Sequence, residues 1–200
     1  MRTILVSSTA SLIIDKSRFI GVTFHVADTS QVDEHLKEIR RLYAKAKHYC
    51  YAYIIDGEEK GFDDQEPAKT AGKPILEVLK RGEYNELLLI VVRYFGGTLL
   101  GASRLLRTYV EVASASLAQA EKYEIANLFA YQVVVTYSEY DTLLSEAKKR
   151  GYILEKSIFG DKIDIKLLSK ERADDALAEI MRGQGKIMPL AMHKHYLKEI

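Results

Sequence analysis

The chain is poor in the residues and runs that mark several classes of protein. Its 200 residues include one cysteine, three prolines and no tryptophan. Cys50 alone excludes an internal disulfide, and sparse cysteine is typical of a reducing compartment. No apolar run in the sequence approaches the roughly 18 residues that a membrane span needs. This composition predicts a cytoplasmic protein with no membrane partner.

An excess of either charge is also missing. The chain carries 29 Lys and Arg against 28 Asp and Glu, a formal net charge of +1. Such a balance excludes a generic polyanion binder, so any contact with nucleic acid requires a local basic patch. The hydrophobic fraction of 48% is ordinary for a globular chain, and the length allows one large domain or two small ones.

An apolar run over residues 87–92 leads directly into Arg93 and the pair Gly96-Gly97. Such a run predicts a strand buried on both faces, and an arginine at its end needs a partner for its charge. A helical pattern follows over residues 103–120. A glycine turn before a helix N-terminus suits an anion, although the glycines also serve a tight turn that packs close to its neighbours.

Two arginines, Arg104 and Arg107, lie in the first turns of this predicted helix. Cations are unfavourable at the positive end of a helix, so we expect both to face an anion, either a carboxylate of this chain or a ligand phosphate. Arg93 competes for the nearby carboxylates. We therefore predict that one arginine, Arg104, stays free to meet an external phosphate.

Three carboxylates, Asp63, Asp64 and Glu66, crowd a predicted loop over residues 57–69. Crowded carboxylates repel one another and invite a cation. We predict that one of them lies within salt-bridge reach of Arg93. The alternative is a small hydrolase or a site for a hard metal ion. No Ser–His or Cys–His arrangement, metal motif or nucleotide loop supports it, so we expect no catalytic residue, no cofactor and no metal.

Two further patterns are open to a nucleic-acid interpretation. A helix predicted over residues 29–46 carries a basic stripe, and a strand predicted over residues 48–55 has tyrosine at alternate positions. The stripe is either a solvated helix face or a phosphate-contacting surface. The tyrosines either stack on bases or pack across strands. The stripe is Lys37, Arg41 and Lys45, and the alternating residues are Tyr49, Tyr51 and Tyr53.

The last part of the chain, residues 127–200, shows a separate pattern of strand, helix, strand, strand, helix, strand. This is the split βαβ order of a ferredoxin-like domain, and we expect this part to fold alone. His193 and His195 share one face of the last predicted strand. Without an acidic or cysteine partner nearby in the sequence, they indicate a solvated strand face rather than a metal pair.

Together, residues 63–74 and residues 92–101 resemble the IMPACT family in its bacterial two-domain YigZ-type form. The first segment carries Asp-Asp, Glu-Pro and Thr-Ala-Gly, and the second carries arginine, two aromatics and Gly-Gly. His48 and Cys50 also match the family's histidine–x–cysteine strand, and the resemblance covers the whole chain. The family usually has glycine at four positions where this chain has Gln65, Lys69, Ser103 and Arg104.

The resemblance implies an α+β protein of two domains. Residues 1–126 would form an IMPACT-type N-terminal domain similar to the second domain of a small-subunit ribosomal protein and to the fourth domain of elongation factor G. Residues 127–200 would form a ferredoxin-like domain similar to that factor's fifth domain. The resemblance also implies that eukaryotic relatives act in translational control by binding a protein regulator of a stress kinase.

For this chain we therefore expect a non-enzymatic binding protein linked to translation or its regulation, with RNA or the ribosome as partner. A protein regulator is a further expected partner. The alternatives are a protein–protein interaction module without RNA binding and the small hydrolase. The candidate ligand-binding residues are Asp63, Asp64, Glu66, Thr70, Gly72, Lys73, Arg93, Tyr94, Gly96, Gly97, Gly101, Arg104 and Arg107.

Overall fold

A computed structural model describes residues 1–159, 161–182 and 185–199. The chain divides into two compact units, Met1–Glu124 with Lys198–Ile200, and Ile125–Leu197. The boundary predicted from the sequence, between residues 126 and 127, lies two residues after the boundary between these units. Independent folding of the second part stays a prediction. None of the described helices is both long enough and apolar enough to cross a membrane.

The first unit is built on a five-stranded antiparallel sheet with helices on both faces. The elements, in chain order, are β1 (Arg2–Thr3), β2 (Thr9–Ile14), β3 (Ser17–His25), α1 (Thr29–Leu42), β4 (His48–Ile55), β5 (Glu58–Phe62), α2 (Gly72–Arg81), β6 (Leu87–Tyr94), α3 (Ala102–Ala118) and the start of β7 (Tyr123–Thr136). The strand order of the sheet is β2-β3-β6-β4-β5, with α2 and α3 packed on one face and α1 on the other.

The central strand β6 is buried on both faces, as its apolar run predicts. Successive side chains of a strand point to opposite faces, so this strand supplies two separate cores. One core lies under α2 and α3 and the other under α1. The residues that enter the first core are Leu87, Leu89 and Val91, and those that enter the second are Leu88, Ile90 and Val92.

The alternating tyrosines of β4 pack in the core beneath α1. Tyr49, Tyr51 and Tyr53 are between 5% and 9% exposed, which leaves no stacking platform for bases. The Tyr49 hydroxyl donates to the Tyr43 carbonyl, and the Tyr53 hydroxyl donates to Glu58. Cross-strand and helix packing is therefore the correct one of the two interpretations of this pattern.

Helix α1 is shorter than its periodicity predicts. It is capped by Asp28, whose carboxylate accepts the backbone N–H groups of Ser30 and Gln31, and it ends at Leu42. Lys45 follows the helix end with a φ of 68°. The predicted basic stripe therefore does not continue along one helix face.

The predicted loop over residues 57–69 contains a strand. Strand β5 pairs antiparallel with β4 through a turn at Asp56-Gly57, where both residues have positive φ. Asp-Gly is a known sequence signal for such a turn. All five residues of β5 are exposed, so the strand has no apolar alternation by which the sequence could reveal it.

The second unit begins with the predicted order strand, helix, strand, strand, helix, but two strands, β10 (Lys186–Pro189) and β11 (His193–Lys198), follow where the sequence predicts one. Its principal strands pair antiparallel in the order β10-β7-β9-β8, and β11 also pairs with β7. Helix α4 begins with a capping box between Thr136 and Glu139. The elements after β7 are α4 (Tyr137–Arg150), β8 (Ile153–Phe159), β9 (Lys162–Ser169), α5 (Asp174–Met181), β10 (Lys186–Pro189) and β11 (His193–Lys198).

Candidate functional site

The segment over residues 63–71, which we call the carboxylate loop, joins β5 to α2. The Asp63 carboxylate accepts three backbone N–H groups, from Lys69 at 2.8 Å, Ala71 at 2.9 Å and Gly72 at 2.8 Å. These bonds close the loop and satisfy donors at the start of α2 that have no partner inside the helix. Asp63 therefore holds the backbone of the loop in place.

Asp64 fastens the same loop to β4. Its carboxylate accepts the Tyr49 backbone N–H at 2.7 Å, and its carbonyl oxygen lies 2.8 Å from His48 Nδ1. A carbonyl oxygen only accepts, so His48 donates through Nδ1. Like Asp63, Asp64 makes contacts that are internal to the first unit.

Glu66 turns inward and meets Arg93. Glu66 Oε1 accepts from Arg93 Nη1 at 2.7 Å and from the Tyr109 hydroxyl at 2.9 Å, and it lies 3.8 Å from His48 Nε2. The Glu66 and Arg93 side chains are only 3% and 5% exposed. The prediction that a carboxylate of this loop pairs with Arg93 is confirmed, and Glu66 is the partner.

The Arg93 guanidinium also lies over two aromatic rings. Its central carbon is 5.1 Å from the Phe19 ring centroid and 5.5 Å from that of Phe95, distances at which a cation is attracted to a ring face. Arg93 Nε is buried without a hydrogen-bond partner among the residues that the structure describes. Glu66 and the two rings therefore hold the guanidinium at the end of β6.

Cys50 adjoins this network without being activated by it. Its Sγ lies 2.9 Å from the Asp63 carbonyl oxygen and 3.3 Å from the Tyr109 hydroxyl. Burial raises the pKa of the Cys50 thiol, and burial also raises the pKa of the Tyr109 phenol. Because the thiolate is the nucleophilic form, a buried thiol with a raised pKa is a poor nucleophile.

The segment over residues 95–101, which we call the glycine turn, joins β6 to α3. A Cβ at Gly96 would lie 2.2 Å from the carbonyl carbon of Lys16, and the Gly96 N–H donates to Ser17 Oγ at 3.1 Å. Gly97 and Gly101 have φ values of 88° and 74°, which favour glycine. Close packing against the β2–β3 turn therefore accounts for Gly96, and backbone conformation accounts for the other two.

Arg104 is paired within the chain, which makes the prediction of a free Arg104 wrong. Its Nη1 lies 2.5 Å from Asp15 Oδ2, and both side chains are exposed. Asp15 belongs to the β2–β3 turn, so this pair spans the glycine turn from outside. Of the two arginines, Arg107 is the one that has no salt bridge within the described ranges.

Arg107 lines a groove of about 610 Å³ between α2 and α3. We call this surface the cationic groove because its basic side chains outnumber its two acidic ones, Glu77 and Glu111. Its aliphatic lining comes from Pro74, Val78, Leu106 and Val110. The basic residues are Lys69, Lys73, Arg81 and Arg107.

The remaining predicted site residues have structural contacts. The Thr70 hydroxyl donates to the Pro67 carbonyl at 2.6 Å. A Cβ at Gly72 would lie 2.2 Å from the Phe62 nitrogen, so glycine lets α2 start close to β5. Tyr94 packs half-buried against the core beneath α1. Most of the predicted residues thus lie in the carboxylate loop and its contacts with Arg93, in the glycine turn, or in the cationic groove.

Three residues that complete these contacts, Tyr109, Asp15 and His48, are missing from the predicted set. Tyr109 is a regular member of the apolar stripe of α3, so its hydrogen bond to Glu66 has no separate signal in the sequence. Asp15 lies 89 residues before its partner Arg104. His48 does carry a signal, the histidine–x–cysteine pattern that it forms with Cys50.

The family of this chain is shown by its match to a known domain. Residues 15–117, about half of the chain, match the model of the Impact N-terminal domain. The matched residues include the strand end at Arg93 and the Gly-Gly turn that follows it. The chain belongs to the IMPACT family.

Its bacterial relatives place it with the YigZ-type members. It is 30% identical over 173 residues to the IMPACT family member YvyE of Bacillus subtilis, covering 85% of this chain and 80% of that protein. It is 34% identical to the IMPACT family member YigZ of Escherichia coli over 131 residues, 63% of this chain and 64% of that one.

A solved structure described as a hypothetical protein shares the fold. It has a TM-score of 0.62 and 24% sequence identity, and the match covers 94% of this chain and 96% of that chain. At this identity, the likeness concerns the fold and carries nothing about activity.

Proposed function

We propose that this protein is a non-enzymatic binding protein linked to translation, and that its first unit contacts RNA phosphates through the cationic groove. The observation that carries the proposal is the set of four basic residues around one groove. Among the described residues, none of the four takes part in a salt bridge, so their charges are available to a ligand. The groove's two glutamates leave a formal excess of two positive charges.

This arrangement suits a nucleic-acid backbone. Phosphates attract Lys and Arg irrespective of base sequence, and each neutralised phosphate releases counterions, which makes binding depend on salt. Exposed basic side chains above an aliphatic floor can hold a single strand by its backbone while its sugars contact the apolar surface. The groove has the residues for backbone contact and none of the aromatic residues that stack on bases.

The contacts of the carboxylate loop argue against the hydrolase alternative. A catalytic carboxylate must reach a substrate, and a metal ligand must present a free oxygen. Asp63 accepts three backbone N–H groups, Asp64 accepts one, and Glu66 is buried against Arg93 and Tyr109. These contacts support a structural role for all three, and with it a protein that binds rather than catalyses.

The translation part of the proposal rests on the family. The resemblance of the first unit to domains of a ribosomal protein and elongation factor G, and of the second unit to a ferredoxin-like domain, belongs to the same proposal. The antiparallel strand order β10-β7-β9-β8 of the second unit supports the ferredoxin-like part of it. Ribosomal RNA or a ribosome-associated partner is therefore the expected ligand.

The proposal is tested by fluorescence anisotropy with two labelled single-stranded RNA 20-mers of different sequence, over a range of salt concentrations. Arg107→Ala should weaken binding about equally for both RNAs and lower the salt slope by about one. Arg104→Ala is the matched control, because Arg104 is on the same helix but is paired with Asp15 outside the groove. We expect the control to bind like the wild type.

Two outcomes would count against this function. Wild-type affinity and salt slope in Arg107→Ala would exclude the groove as the RNA site. Failure of the wild-type protein to bind either RNA or to sediment with ribosomes, together with retention of a protein partner at high salt, would favour the protein-interaction alternative.

A further inference from the structure

Three metal-ligating side chains converge in the second unit. Glu155 lies on β8, and His193 and His195 lie two residues apart on β11. One ligand atom from each of the three lies within 4.8 Å of the others, and the two imidazole ring centroids are 6.3 Å apart. The histidines share a strand face, as the sequence predicts, and the fold adds the acidic partner that the sequence does not show.

A cation already lies among these groups. Lys166, on strand β9 next to β8, places its Nζ 3.2 Å from both ring nitrogens of His193 and 3.5 Å from Glu155 Oε2. An ammonium group donates and does not accept, so the imidazole nitrogen that bonds to it offers its lone pair, as it would to a metal ion.

We propose that Glu155, His193 and His195 form a binding site for a divalent transition metal of the zinc type. Two imidazole nitrogens and one carboxylate oxygen are a ligand set that zinc accepts, with water in the fourth position of a tetrahedron. Calcium and magnesium prefer sets made of oxygen alone. The site is distinct from the cationic groove, and it does not depend on RNA binding.

The metal replaces the Lys166 ammonium. Lys166 is about one third exposed, and its long flexible stem allows the head group to move into solvent. A divalent ion contacts the carboxylate and both imidazoles at once, whereas the ammonium contacts Glu155 and His193. The metal therefore joins β8 to β11 across the intervening strands and stabilises the folded second unit by mass action.

The experiment uses the full chain, freed of metal with a chelator, and titrates zinc against a chromophoric indicator. We expect one tight site per chain. His193→Ala and His195→Gln should each weaken zinc binding by at least about tenfold, since loss of a mere supporting partner already costs about that much. His35→Ala is the control, because His35 lies on α1 in the first unit and contacts Glu38.

Lys166→Met sharpens the test because it removes the competing cation and keeps an apolar stem of similar length. It should bind zinc more tightly than the wild type does, and zinc should raise its melting temperature by more than it raises that of the wild type. Unfolding of each variant without zinc establishes that it is folded. Equal zinc affinity in the wild type and both histidine variants overturns the site, and unchanged affinity in Lys166→Met overturns the displacement of the ammonium.

Discussion

The carboxylate loop and the glycine turn both carry residues typical of the family, and each lies beside an arginine–carboxylate pair, yet the two pairs differ in burial. Glu66 and Arg93 are almost completely buried, whereas Arg104 and Asp15 are exposed. A buried ion pair is costly to break because the remaining charge is left without water, while an exposed pair is screened. The Glu66–Arg93 pair is therefore expected to matter for the stability of the fold, and the Arg104–Asp15 pair is expected to contribute little to it.

The two segments also differ in how their backbones are accommodated. The glycine turn uses Gly96 for close packing and Gly97 and Gly101 for positive φ. The carboxylate loop adopts positive φ at Gln65 and Lys69, two residues with side chains. The loop carries this backbone strain because the hydrogen bonds of Asp63 and the buried ion pair fix its path.

The largest expected effect is that of Glu66→Ala. The change leaves the Arg93 charge buried without its carboxylate and removes the acceptor of the Tyr109 hydroxyl. Breaking one side of a buried pair costs about 3–5 kcal/mol, so we expect a loss of that size in the free energy of unfolding. Urea denaturation followed by circular dichroism measures it.

A double variant separates the buried charge from the packing. Glu66→Leu combined with Arg93→Met removes both charges and should be clearly more stable than Glu66→Ala, because apolar replacements of a buried pair are often tolerated. If the unfolding free energy of Glu66→Ala were within about 1 kcal/mol of the wild-type value, the Glu66–Arg93 pair would be solvated in spite of its low exposure.

In the glycine turn we expect a smaller loss, from Gly96→Ala. The added Cβ would meet the backbone of Lys16 at 2.2 Å, so the two turns must move apart, at a cost of about 1–3 kcal/mol. Gly97→Ala is the matched control, because its Cβ meets nothing within 4 Å and its cost arises from the φ of 88° alone. Thermal unfolding compares the two, and equal stability of Gly96→Ala and the wild type would contradict the close packing.

The smallest effect has the opposite sign. Gln65→Gly places glycine at an exposed position with a φ of 66° and so relieves backbone strain in the carboxylate loop. We expect a gain in unfolding free energy of up to about 1 kcal/mol, partly offset by the greater freedom of glycine in the unfolded chain. A lower melting temperature in differential scanning calorimetry would show that the Gln65 side chain contributes more than its backbone costs.

Local patterns in the sequence predicted most of the elements. The run over residues 87–92 predicts a doubly buried strand, and the alternation in residues 48–55 predicts β4, because side chains repeat every two residues along a strand. The need of Arg93 for a counter-charge predicts its pairing with the carboxylate loop. The charged strand β5 was missed because it is an exposed edge without apolar alternation.

The sequence by itself determined the family, the order of most elements and the presence of an ion pair at Arg93, since these follow from spacing and composition along the chain. Tertiary structure alone decided that Glu66 rather than Asp63 or Asp64 pairs with Arg93, that Asp15 takes Arg104, and that Glu155 joins the two histidines. The reason is physical: periodicity reports which face a side chain occupies, whereas ion pairs and ligand sets depend on through-space distances between residues far apart in sequence.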